Sequence, residues 1–233
     1  MKFFLNLFYP AKCPFCGDIL KKERLICEQC EKNVKPLQGP KCKKCGKILG
    51  QKEREYCLDC SRTKHAYARG TAVYPYSGAV RRAVWRFKYQ NRRCYARAFA
   101  EMMWETSGEQ LKSWKPDLVI PVPLHPKRKK KRGYNQAFLL AEPIAGHLGI
   151  PVLENGLLRV TPTSPQKNLD RKKRQINLKR AFKIGKDDVK LKRILLVDDI
   201  YTTGSTIDAA AEILLEQGAA EVFFLALCIG EGE

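Results

Sequence analysis

Two adjacent carboxylates, Asp198 and Asp199, close the apolar run Ile194-Leu195-Leu196-Val197, and four hydroxyls around one glycine follow at Thr202, Thr203, Gly204, Ser205 and Thr206. The apolar run is long enough for one buried strand. After the hydroxyls, Ile207, Ala210, Ala211, Leu214 and Leu215 recur at helical spacing until Gly218 stops them. The first turn of such a helix leaves N–H groups unpaired at the positive end of the dipole, which makes an anion site, and the hydroxyls add donors. Like charge keeps the aspartates off a phosphate, so they should face a neutral, hydroxylated part of the same ligand. Acceptor-only carboxylates at a strand end suit the two neighbouring hydroxyls of a ribose, while the loop holds its 5′-phosphate. An ordinary strand, turn and capped helix would explain the helix start but not two acids followed by TTGST.

The stretch resembles the PRPP-binding motif of type I phosphoribosyltransferases. A second strand, Asp117 to Val122, is broken by Pro121 and Pro123 where a loop must begin. That loop is expected to carry Lys127, Arg128, Lys129, Lys130, Lys131 and Arg132. Gly133-Tyr134-Asn135-Gln136 then opens a helix through Phe138, Leu139, Leu140 and Ile144. Loops at the carboxyl ends of strands in one open α/β sheet converge on one crevice, so a pyrophosphate there would meet cations and backbone donors together. His125, without an adjacent acid, reads as structural, and His147 as a residue favouring a helix C-terminus before Gly149.

The cysteines carry the other chemistry. Cys13/Cys16, Cys27/Cys30, Cys42/Cys45 and Cys57/Cys60 are four CxxC pairs, and Gly17 and Gly46 each follow a second cysteine where a tight turn is easiest for glycine. Two such knuckles supply the four ligands of a closed structural zinc site. The simplest pairing joins the first two knuckles on one Zn²⁺ and the last two on another; spacing leaves an interleaved pairing open. Redox pairs or disulfides account poorly for four pairs in register. Metal binding should supply about 10 kcal/mol or more per site of the folding energy here. Lys41, Lys43, Lys44 and Lys47 around the third knuckle either touch phosphates or form a solvated face.

These groups must be positioned by elements that the pattern outlines. Thr71 to Tyr76 reads as a strand, and Gly78 to Tyr89 as a helix with Val80, Val84 and Phe87 facing the core. Arg81, Trp85 and Lys88 form its other face, suited to single-stranded nucleic acid or to cover by the neighbouring domain. An apolar helix follows through Phe99, Met102, Met103 and Trp104. Ala181 to Ile184 and Val222 to Leu227 read as further strands. Cys94 and Cys228 stand outside any CxxC context and are expected in the core; His65 lacks a partner at ligand spacing and reads as incidental. The polar stretch after Cys60 places a domain boundary near Lys64, giving 1–64 and 65–233.

At 233 residues and 44% hydrophobic content the chain can bury a sizeable core. Its formal charge of +20 points to polyanionic partners. Eight thiolates on two Zn²⁺ would lower that charge by about 4, leaving its sign unchanged. The short apolar cluster Phe3, Phe4, Leu5, Leu7 and Phe8 is too short for a signal peptide and is read as packing on the domain that follows. No stretch approaches the length of a membrane span, and a cytoplasmic location is expected.

The knuckles, then VIPVPLHPKRKKKRGYNQA, TPTSPQKNLDRKKRQINLKRAF and LLVDDIYTTGST, together resemble the ComF family of competence-associated proteins, ComFC type. Arg132 to Gln136 match its RG[FY]NQ; Gln166, Leu169, Arg171, Arg174 and Asn177 match its Q..L.R..R..N element. The resemblance implies an α/β fold: a double zinc-ribbon module before a mostly parallel-sheet, phosphoribosyltransferase-like domain. It also implies a PRPP pocket and a role in uptake and handling of single-stranded DNA, with other competence or DNA-processing proteins as partners. In that reading Asp198 and Asp199 hold ribose, Thr202 to Thr206 hold the 5′-phosphate, and Arg132 and Gly133 meet the pyrophosphate. Arg171 and Arg174, on a long basic segment, would close over it as a lid. Mg²⁺ would ride on the pyrophosphate and ribose hydroxyls. The competing reading is an active phosphoribosyltransferase releasing pyrophosphate, for which no residue identifies an acceptor base.

Overall fold

The structure, a computed structural model, describes residues 11–21, 24–50, 54–160, 181–185 and 189–230. The apolar cluster between Phe3 and Phe8 and the segment with Arg171 and Arg174 lie outside the described residues.

Among the described residues four strands form the main sheet: β1 (Arg69–Pro75), β2 (Leu118–Pro121), β5 (Arg193–Tyr201) and β6 (Glu221–Ile229), while β3 (Leu157–Arg159) and β4 (Phe182–Ile184) pair as a separate two-stranded antiparallel sheet. The order is β1-β6-β5-β2, with every pairing parallel. Parallel neighbours need long crossovers, and helices supply them. The crossover from β1 to β2 holds α3 (Gly78–Tyr89) and α4 (Tyr95–Trp114); α6 (Gln136–Leu148) follows β2, and α7 (Ser205–Glu216) joins β5 to β6. The fold is therefore α/β with a parallel sheet, as expected.

Period-two alternation sorts the strands' side chains between two cores. Leu195, Val197, Phe223 and Leu225 share one cluster with Phe87, Phe99, Leu140 and Ile144 from α3, α4 and α6. Ile194, Leu196, Phe224 and Ala226 share the other with Ile207, Ala210 and Leu214 of α7.

The cysteine module repeats one small unit. Each has a single antiparallel bridge (Lys12 with Ile19, Lys41 with Ile48), a glycine turn at positive φ (Gly17 at 94°, Gly46 at 78°) and a short helix, α1 (Glu28–Asn33) or α2 (Leu58–Arg62). The two units straddle the sheet. Phe15 of the first packs edge-on against Tyr74, centroids 5.7 Å apart, and Arg86 donates to the carbonyls of Pro14 and Phe15 at 3.0 and 2.7 Å. Cys42, Cys45 and Leu49 of the second join the opposite core with Tyr67. Between them, Leu37 N–H donates to Val73 O at 2.7 Å and Gly70 N–H to Lys44 O at 2.8 Å, so the module closes part of the free edge of β1.

Three expectations need correction. The run Lys127 to Arg132 is not a loop but a helix, α5 (Pro126–Arg132). Pro126 fits the first turn, the His125 side chain accepts from Lys127 N–H, Lys and Arg are good helix formers, and Gly133 at φ 79° ends it. Cys94 is exposed, at the start of α4, whereas Cys228 is buried as expected. His65 is not incidental: its side chain is fully buried against Asp208.

Candidate functional site

The strand β5 delivers Asp198 and Asp199 to the carboxyl end of the sheet, beside the end of β2, where Val122 N–H donates to Val197 O at 2.9 Å. Asp198 Oδ1 accepts from the N–H of Asp199 at 2.8 Å, and Asp199 Oδ1 lies 2.8 Å from Lys88 Nζ. Burial, with the like charge of Asp199, pushes the Asp198 carboxyl up to about 7, against the pull of Lys88 and Arg159. Burial works against the Lys88 ammonium, but Asp199 and Asp198 hold its pKa above the ordinary value.

Past Tyr201 the chain turns through Thr202 and Thr203, both exposed, to Gly204 at φ 81°, which precedes the first residue of α7. A Cβ on Gly204 would lie 2.6 Å from the Tyr201 hydroxyl, so both conformation and space require glycine. Thr203 Oγ1 and Ser205 Oγ are 2.9 Å apart, and Thr206 lies in the first turn. The hydroxyls and the helix start thus occupy one turn, next to the carboxylates in sequence.

On the β2 side, Arg132 Nη1 donates to Gln136 Oε1 at 2.8 Å and Nη2 to the Tyr89 hydroxyl at 3.2 Å, with the guanidinium 4.8 Å from the Tyr89 ring centroid. The Gly133 carbonyl accepts from Arg93 Nη2 at 3.1 Å. Asn135 caps α6: its side chain accepts from Ala137 N–H and donates to Val122 O. Through Tyr89, the residue after Lys88, this turn meets the helix that delivers the partner of Asp199.

Sequence reasoning assigned Lys88 only to a helix face and did not single out Arg159. Nothing local marks either: Lys88 is far from Asp199 in the chain and meets it only once α3 has packed on the sheet. A concavity of about 600 Å³ lies elsewhere on α3, lined by Tyr76, Arg81, Arg82, Trp85, Arg86 and Gln90. Trp85 is 51% exposed there, and its ring neighbour is Tyr89 of the same helix, at 5.9 Å.

The cysteines group as the simple pairing expects. The sulfurs of Cys13, Cys16, Cys27 and Cys30 lie within 4.8 Å of one another, as do those of Cys42, Cys45, Cys57 and Cys60. Cys16 and Cys27 sulfurs are 3.5 Å apart and those of Cys45 and Cys57 3.7 Å, close to the edge of about 3.8 Å for a tetrahedron with Zn–S bonds of about 2.3 Å. The Cys30 N–H donates to Cys27 Sγ and the Asp18 N–H to Cys16 Sγ, as thiolate ligands require. Both groups fit a closed structural zinc site. Of the nearby lysines, Lys43 pairs with Glu55, Lys47 with Asp59 at 2.6 Å, and Lys44 lies over the Tyr67 ring.

Residues 4–61 match the double zinc ribbon domain family, and residues 89–232 match the phosphoribosyl transferase domain family. Competence protein F of Haemophilus influenzae is 32% identical over 221 residues, 92% of this chain and 95% of that protein. DNA utilization protein YhgH of Salmonella typhi is 32% identical over 230 residues, 95% and 98%. Competence protein ComFC of Bacillus subtilis is 28% identical over 209 residues, 87% and 82%. Among solved structures, a purine phosphoribosyltransferase from Pyrococcus horikoshii is 22% identical, covering 56% of this chain and 73% of its own, with a TM-score of 0.38.

Proposed function

The chain belongs to the ComF family of competence proteins, and from that premise we propose that it binds PRPP at the carboxyl ends of β5 and β2 and handles single-stranded DNA during DNA uptake. One observation carries the PRPP half: the two carboxylates of β5 precede the turn that opens α7, and Arg132 bonds Tyr89, the residue after the Lys88 that pairs with Asp199, so hydroxyl acceptors, anion donors and a cation gather at one end of the sheet. In this reading Asp198 and Asp199 accept from the ribose hydroxyls, and Thr202, Thr203, Gly204, Ser205 and Thr206 hold the 5′-phosphate. Arg132 and Gly133 meet the pyrophosphate, with Arg171 and Arg174 closing over it. Mg²⁺ bound with PRPP would neutralise the pyrophosphate. Zn²⁺ on the two cysteine groups is structural, and the boundary between module and sheet domain falls near Lys64.

The DNA half is supported by the +20 charge, by the groove of Arg81, Arg82, Trp85 and Arg86, and by the relatives' names, which speak of competence and DNA utilization. Among the described residues no helix is long and apolar enough to cross a membrane, and we place the protein in the cytoplasm, with other DNA-processing proteins as partners.

The test is calorimetric titration of the zinc-loaded chain with PRPP, with and without Mg²⁺, in the presence and absence of single-stranded DNA. Mg²⁺-dependent PRPP binding that Asp199→Asn weakens is expected. Absence of PRPP binding in both conditions overturns the reading. Release of pyrophosphate with any nucleobase would establish the competing reading, an active transferase; binding without turnover across all bases would exclude it.

A further inference from the structure

The chain enters the sheet domain through His65, Ala66 and Tyr67, and these attach to either side of the turn between β5 and α7. The buried His65 Nδ1 lies 2.7 Å from Asp208 Oδ2, and the Ala66 N–H donates to Asp208 Oδ1 at 3.0 Å. Asp208 belongs to the first turn of α7, where its own N–H donates to the Gly204 carbonyl at 2.8 Å. The Tyr67 hydroxyl meets the Tyr201 hydroxyl at 2.7 Å. The His65 ring stacks on Tyr67 with centroids 4.9 Å apart and presses against Gly204, its Cε1 3.1 Å from where a Cβ would stand.

One atom in this arrangement is unsatisfied. His65 Nε2 is buried and, among the described residues, has no hydrogen-bond partner. A carboxylate accepts only, so the bond to Asp208 keeps a proton on Nδ1 and leaves Nε2 for something else. Leaving a buried polar nitrogen unpaired is costly, and such atoms in a folded protein call for a reason. Here the ring lies directly against the glycine of the hydroxyl-rich turn.

We infer that His65 is a positioning residue of the phosphate loop: held by Asp208 and braced on Tyr67, it props Gly204 in its left-handed turn, and its Nε2, an acceptor while Nδ1 keeps the proton, gains a donor from the loop's N–H or hydroxyl groups when these order around a 5′-phosphate. Because Tyr67 shares a core cluster with Cys42, Cys45 and Leu49, the same residues join the second cysteine unit to the loop. The inference rests on the proposal that this loop binds phosphate.

The chain has three histidines, so the ring nitrogens are readily resolved by ¹⁵N NMR. In the zinc-loaded wild type, ribose 5-phosphate should move the His65 Nε2 resonance, and inorganic pyrophosphate should not. His65→Phe keeps the ring on Tyr67 but removes both nitrogens; it should weaken ribose 5-phosphate binding about tenfold and leave pyrophosphate binding unchanged. A merely structural brace would leave Nε2 unmoved. Ribose 5-phosphate binding to wild type with a static Nε2 resonance, or with equal affinity in a folded His65→Phe variant, overturns the role of His65 alone. Absence of ribose 5-phosphate binding to wild type overturns the phosphate-loop proposal beneath it.

Discussion

Lys88 Nζ sits 2.8 Å from Asp199 Oδ1, with the two side chains 16% and 10% exposed, so the carboxyl end of β5 carries its own counter-cation. The ammonium is delivered by α3, whose Val84 and Phe87 are fully buried and fix the helix on the sheet. Removing one member of a largely buried pair leaves the other charge uncompensated, a loss of about 3–5 kcal/mol for deep sites and less where water still reaches. Lys88→Met should therefore lower stability by about 2–3 kcal/mol in denaturant melts, and Asp199→Asn by a similar amount. The double variant should fall well short of the sum, because no orphan charge remains. Additive losses would show that the pair does not act as one.

The raised pKa of Asp198 sets a sign for pH dependence. Its folded value of about 7 lies above the ordinary value of 3.8, so the folded chain holds an extra proton between the two. Stability from this group is full below about pH 4 and is lost as pH rises through about 7. Asp198→Asn should flatten that part of the stability profile, measured as the difference between variant and wild-type melts from pH 5 to 8. Ligand binding should run the other way, since the ionised carboxylate is the acceptor for sugar hydroxyls. Ribose 5-phosphate affinity should rise from pH 6 to 8 more steeply in wild type than in Asp198→Asn; identical slopes would assign the effect to the phosphate's own ionisation.

What the sequence showed and what it hid divide by distance along the chain. The strand that carries Asp198 and Asp199, the glycine turn at Gly204 and the helix after it were legible because one local pattern encodes all three, although the strand runs past the carboxylates to Tyr201, held there by its pairing with β6. The cysteine grouping was legible for the same reason: each set of four spans a short stretch. The counter-charge of Lys88 and the pairing of His65 with Asp208 join residues far apart in sequence, and no spacing rule reaches across a sheet. Lys127 to Arg132 misled because six adjacent cations look like a solvated loop, while Pro126 before them and Gly133 after them are the marks of a short helix.

Zinc removal should reach beyond the module. Phe15 and Tyr67 are 2% and 0% exposed, each within a core cluster that also holds zinc-module cysteines and sheet residues. Unfolding the cysteine units would therefore strip cover from both faces of the sheet as well as from the edge of β1. Chelation should release two Zn²⁺ per chain and lower the melting temperature of the whole protein. Cys13→Ser should expose the Phe15 side to a hydrophobic dye, and Cys42→Ser the Tyr67 side. A sheet domain that melts unchanged after chelation would mean that the module contributes nothing to it, against the burial of these two rings.

The groove on α3 makes a separable prediction for DNA. Trp85, half exposed beside Tyr89, offers a flat ring for a base, and Arg81, Arg82 and Arg86 flank it. Trp85 is not among the buried core residues, so Trp85→Ala should leave stability and PRPP binding unchanged while weakening single-stranded DNA by about 1–3 kcal/mol. Arg81→Gln should act differently, reducing affinity across all sequences and lowering the slope of log affinity against log salt by about 0.7, the increment for one phosphate contact on a single strand. Filter binding over a salt series reads both. A Trp85→Ala variant that binds DNA as wild type does would move the DNA site off this helix, leaving the cations near the carboxyl ends of β5 and β2 as the surface to test next.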